Sequence, residues 1–166
     1  MKKLSKAIIL TGLFVGTTDI LAAIISEYIK QGKFPERMFN YISGGVLGLE
    51  RGLSGGNWSA LLGLFNHYAI SMVFTLFFFL IFPRFKFLHY NRYLVGMLYA
   101  VFVSSTMRFI VLPLTPLSPG GPYILIHAFM GWVTLGVVLG IPIAFNAYRF
   151  YGVDDRVFPK DGTDRS

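Results

Sequence analysis

Apolar residues run along this chain in four long blocks, roughly Ala7–Ile29, Trp58–Phe82, Tyr93–Leu112 and Tyr123–Ala147. A helix rises about 1.5 Å per residue, so about 20 apolar residues cross the roughly 30 Å of bilayer hydrocarbon. Each block reaches or approaches that length. The pattern predicts an all-α integral membrane protein with four transmembrane helices in a bundle. Met1–Lys6 followed by Ala7–Gly16 has the form of a secretory signal, but the apolar run continues past Asp19 and no small-x-small cleavage site follows. The first block is therefore expected to remain as a helix of the bundle.

The connectors carry patterns of their own. Between the first two blocks, Phe34, Met38, Phe39, Ile42, Val46 and Leu49 recur at helical spacing, and Pro35 suits a first helical turn. The charge-free part, Met38–Leu49, would be about 18 Å long and too short to cross. An extra helix over about residues 35–50 is expected, lying at the membrane surface in preference to re-entering the bilayer. In the last connector, Pro113, Pro116, Pro119 and Pro122 recur every three residues, the period of a stiff polyproline II segment. Pro142 removes a backbone donor and should bend the fourth helix. Residues 1–151 form the transmembrane domain, and the mixed-charge segment 152–166 is expected to be a mobile cytoplasmic tail.

Composition supports the membrane reading: 54% of residues are hydrophobic and only 14% charged, against about a quarter charged in soluble domains. The absence of cysteine excludes disulfides, thiolate metal sites and thiol catalysis. A net charge of +7 would suit a nucleic-acid surface, yet the basic residues sit at helix ends, where they orient membrane proteins. Lys2, Lys3, Lys6, Arg84, Lys86, Arg92, Arg149, Arg156, Lys160 and Arg165 fall on one side. Lys30, Lys33, Arg37 and Arg51 fall on the other. Ten against four places both termini on the cytoplasmic side of a bacterial inner membrane, with no nucleic-acid partner.

Four ionisable residues interrupt the apolar blocks: Asp19, His67, Arg108 and His127. Such groups are costly in lipid and normally face a bundle interior or a wet cavity. Each sits on the small or polar stripe of its helix: Asp19 with Gly12 and Gly16, His67 with Gly63 and Ser71, Arg108 with Ser104 and Ser105, His127 with Gly131 and Thr134. Asn66 adds a further polar group beside His67. Small stripes are where membrane helices touch, and Gly44, Gly48 and Gly52 form another in the first connector. The expected polar core is thus Asp19, His67, Arg108 and His127. An Asp19–Arg108 pair would neutralise two of its charges and leave two histidines to titrate.

That core supports three readings. It can be hydrogen-bonded glue that fixes helix register, a proton- or ion-coupled path, or, ranked last, a haem site on His67 and His127. No Gly-x-Ser-x-Gly turn or His-Glu-x-x-His motif is present, so no catalytic residue, metal ligand or resident cofactor is assigned. The expected function is a small non-enzymatic accessory or stress-related membrane protein that responds to protons. The alternatives are an oligomeric ion or solute channel or transporter, and a haem-binding subunit of a larger complex. The glycine stripes suit a homo-oligomer or docking to a larger membrane assembly.

Across about residues 63–150, the positions His67, Phe82-Pro83-Arg84-Phe85-Lys86, Gly96, Met107, Leu112-Pro113-Leu114-Thr115-Pro116, His127, Trp132 and Arg149 resemble the YagU-like family of small bacterial inner-membrane proteins. The resemblance implies a multi-pass bacterial membrane protein with a link to acid resistance. His67 and His127 are the positions it shares; Asp19, Arg108 and the first connector lie outside its pattern.

Overall fold

The structure, a computed structural model, describes residues 2–117 and 125–154, with the side chains of Lys2 and His127 outside the description. Among the described residues the regular elements are all helical, with no strand. α1 (Lys2–Gln31) leads to the short helices α2 (Met38–Leu47) and α3 (Leu49–Ser54), then to α4 (Gly56–Ile81). Two 3₁₀ turns, Phe82–Arg84 and Lys86–His89, precede α5 (Arg92–Thr106), which Asn91 caps by accepting from the Tyr93 and Leu94 amides at 2.9 and 3.0 Å. α5 continues through a π-helical turn, Met107–Val111, into α6 (Leu112–Leu114). α7 (Leu125–Leu135) likewise passes through a π-helical turn, Gly136–Gly140, into α8 (Ile141–Tyr151). Four helices, Lys3–Gln31, Gly56–Arg84, Arg92–Leu114 and Ala128–Tyr151, are long and apolar enough to cross a membrane.

The first connector differs from the single surface helix expected over about residues 35–50. It is two helices, broken at Gly48, whose φ of 86° and ψ of 151° lie where essentially only glycine is found. Gly48 therefore contributes a turn and not the close helix contact expected of it: a Cβ there would meet open space. α2 packs along α4. A Cβ on Gly63 would fall 1.8 Å from the Phe39 carbonyl oxygen, so only glycine lets the two backbones approach. Buried Asn40 donates to the Gly52 and Gly56 carbonyls at 3.3 and 2.8 Å. Buried Ser59 donates to Gly52 at 2.5 Å and meets Ser43 hydroxyl to hydroxyl.

The long helices form a ring in the order α4, α1, α8, α5. α1 meets α4 at Gly12, where a Cβ would lie 2.7 Å from the Met72 sulfur, and at Gly16, where it would lie 2.9 Å from the Tyr68 ring. α5 meets the second π turn at Gly96 and Gly140: a Cβ on Gly140 would sit 2.0 Å from the Gly96 carbonyl oxygen. The seam between α4 and α5 is different in kind. Their backbones stand apart and aromatic rings fill the space: Phe77 stacks on Phe102 at 5.6 Å, Phe78 meets Tyr99 edge-on at 4.6 Å, and the Tyr99 hydroxyl donates to the Phe74 carbonyl at 2.6 Å.

Both π turns sit immediately before a proline, Pro113 and Pro142. A helical proline offers no N–H, and its ring crowds the carbonyl four residues back; a wider turn relieves the crowding. For Pro142 that carbonyl belongs to Val138. It is satisfied from outside the helix, because the Thr18 hydroxyl of α1 approaches it at 2.7 Å. The bend expected at Pro142 is thus a π turn tied to α1. Pro113 is still helical and the chain turns extended only at Thr115, before Pro116; Pro119 and Pro122 fall on residues 118–124, outside the description, as does most of the expected tail.

Two substitutions separate contact from composition. Gly63→Ala should lower the detergent melting stability by about 1–3 kcal/mol through overpacking against the Phe39 carbonyl. Gly131→Ala, at a position where a Cβ meets open space, should leave stability unchanged or slightly raised in the same melting measurement.

Candidate functional site

A partly open cavity of about 390 Å³ lies at the centre of the ring. α1 contributes Asp19, α2 Ile42, α4 His67, Ser71 and Phe74, and α5 with its π turn Val103, Ser104, Met107 and Arg108. Leu135 and Leu139 close it from α7 and the second π turn. Five of the residues singled out in the sequence therefore share one wall: Asp19, His67, Ser71, Ser104 and Arg108. The rest of the wall is apolar, so it brings a carboxylate, an imidazole and a guanidinium into one small space.

The local chain explains each placement. The His67 ring reaches α1 where Gly16 lets that helix approach Tyr68 and Ser71 of α4, and Nε2 lies 2.8 Å from the Gly16 carbonyl oxygen. A carbonyl can only accept, so Nε2 carries the proton, and in the neutral ring Nδ1 is the remaining acceptor. Beside it the Tyr68 hydroxyl and Thr17 hydroxyl are 2.9 Å apart, a second tie between α1 and α4. Asp19 stands one α1 turn further on and interacts electrostatically with His67. Arg108 enters from the π turn, whose extra residue per turn rotates the following side chains relative to an α-helix.

Other expected members fall elsewhere. Asn66 and Ser105 are half-buried but do not line the cavity, each turned by about 100° from a neighbour that does. Thr134 is exposed, and Leu135 takes the wall in its place. Gly131, expected at a helix contact, is exposed with no atom of the described residues within 4 Å of a Cβ. Its helix carries the contacts later, within the π turn at Gly136 and Gly140. The His127 side chain lies outside the described residues. Gly44 and Gly52 pack against each other, a Cβ on Gly52 falling 2.8 Å from Gly44. Among the described residues, no three His, Asp or Glu side chains converge as metal ligands.

Several residues that build the site receive no role there from the sequence, Gly96 entering only through the resemblance. Gly96, Gly136 and Gly140 fix α5 against the second π turn, and Thr18 ties that turn to α1. The buried Asn40–Ser43–Ser59 cluster holds α2, and with it Ile42, against the cavity. A usable signal was present: Asn40 and Ser43 share a helical face with Gly44 in an otherwise apolar stretch. No family model matches this chain, and no curated protein or solved structure matches it.

The electrostatic tie between Asp19 and His67 predicts non-additivity. Asp19→Asn and His67→Gln should each lower the melting stability, and the double variant should lose less than the sum, by about 0.5–3 kcal/mol of coupling. Additive losses in detergent melts would show that the two side chains do not interact.

Proposed function

We propose that this chain is a small non-enzymatic protein of the bacterial inner membrane, an accessory or stress-related component that responds to protons through its central cavity. The observation that carries the proposal is the meeting of Asp19, His67 and Arg108 in a cavity otherwise walled by apolar side chains and serines. Intramembrane ionisable groups that face a shared interior space mark proton and ion pathways by default. Histidine is the side chain whose charge changes between about pH 5 and 8. The groups facing His67 are Asp19 and the Gly16 carbonyl on α1 and Arg108 on the first π turn; α2, α7 and the second π turn offer only Ile42, Leu135 and Leu139. Protonation of His67 would place a second positive charge beside Arg108, with Asp19 as the one carboxylate on that wall. The resemblance to the YagU-like family agrees with an acid-linked role.

A conducting reading is favoured by the same volume, which can hold several waters beside groups of both signs. It would require copies of the chain to assemble around a path. The two readings part in reconstituted vesicles. An accessory sensor should change its tryptophan emission between about pH 5 and 8 while passing no more protons or ions than protein-free vesicles. His67→Gln combined with His127→Gln should remove the spectral change while helicity is retained. Protein-dependent flux would favour the conductor, and a pH-invariant wild type would leave the cavity as structural glue.

The orientation proposed from the basic residues places both termini and the Arg84–Arg92 turn in the cytoplasm. The chain has no cysteine of its own, so single cysteines report cleanly. In intact cells an impermeant thiol reagent should label Asn57→Cys and spare Lys3→Cys and Phe87→Cys. The opposite pattern would reverse the topology.

A further inference from the structure

The α4–α5 seam opens sideways into an apolar groove of about 570 Å³. Phe77 and Ile81 line one side and Leu94, Leu98 and Phe102 the other, with Tyr99 behind them. The groove exists because rings, not glycines, separate these two backbones. From Leu94 to Phe102 it runs about 12 Å along the helix axis, so it follows the direction in which a lipid tail lies. Its wall ends at the turn between α4 and α5, where Lys86 lines the mouth and is exposed. No acidic residue lines it, and the sequence contains no Asp or Glu between Glu50 and Asp154. The same end of the bundle carries Arg84, Arg92 and Arg149, with Arg92 held over the Phe145 and Tyr148 rings at 4.8 and 5.5 Å. An apolar slot on the outside of a membrane-spanning bundle, bordered at one end by Lys86 and lined by no carboxylate among the described residues, suits a bilayer lipid carrying net negative charge.

We propose that this groove binds one acyl chain of an anionic glycerophospholipid, whose phosphate rests on Lys86. The full-length protein, purified in mild detergent, is offered phosphatidylglycerol and phosphatidylcholine with identical chains, and retained lipid is read by native mass spectrometry. The wild type should retain phosphatidylglycerol in preference by roughly fivefold, the order expected for one basic side chain at an anionic surface. Lys86→Gln, an exposed change that leaves the packing intact, should bring the two lipids close to parity. Leu98→Trp, which fills the groove, should reduce retention of both lipids, with circular dichroism showing that the helices persist. Equal retention of both lipids by the wild type would overturn the proposal, as would an undiminished preference in Lys86→Gln. A lipid-free species at twice the chain mass would assign the groove to a second copy and also overturn it. If Leu98→Trp does not fold, the wild-type and Lys86→Gln comparisons decide the question alone.

Discussion

Backbone contact at glycine is the constraint on which this bundle depends. Between membrane helices there is little hydrophobic driving force, because lipid tails are as apolar as leucine; association rests on close packing and hydrogen bonds. Gly63 against Phe39, Gly16 against Tyr68 and Gly140 against Gly96 each mark a place where a single methyl would collide. These contacts fix the rotation of every helix around the centre. The rotation then decides which side chains reach the cavity. Asp19 and His67 face one another because Gly12 and Gly16 hold α1 flat against α4.

The second determinant is what the chain does where it cannot make regular helix. Pro113 and Pro142 each follow a π turn, and each turn supplies residues to the cavity: Met107 and Arg108 from the first, Leu139 from the second. A backbone defect that would be expensive in hydrocarbon is placed where it faces the bundle interior. The Val138 carbonyl, which Pro142 cannot bond, accepts from the Thr18 hydroxyl, so the irregularity becomes a link between α1 and the last helix. Position and polarity of the site thus arise from the same irregularities.

The coarse fold was legible in the sequence because membrane-crossing length and apolarity are local properties. All four blocks became helices long and apolar enough to cross a membrane. The cavity wall was legible in part: Asp19, His67, Ser71, Ser104 and Arg108 stand out as polar residues on apolar helices, and they converge. What escaped was the exact rotation of each helix within its polar stripe. Ser105 and Thr134 are each one residue, about 100° of helix, from a neighbour that lines the cavity, and the packed glycines of the last helix are Gly136 and Gly140 in place of Gly131. Gly48 misled for a related reason, since spacing cannot distinguish a glycine that packs from one that turns the chain. The aromatic seam was invisible too, because Phe77, Tyr99 and Phe102 read as ordinary lipid-facing residues until the topology brings them together.

That seam has a consequence for how the molecule is held together. α1, α2 and α4 are joined by glycine contacts and side-chain hydrogen bonds made entirely within the first half of the chain. α5 and the α7–α8 segment are joined likewise within the second half. Each half thus holds its tightest contacts within itself, and the halves meet through α1 on the last helix, the Thr18–Val138 and Tyr151–Phe79 bonds and the rings between α4 and α5. A membrane protein arranged in this way is joined across α4 and α5 by aromatic rings, with a groove beside them that a lipid tail could enter.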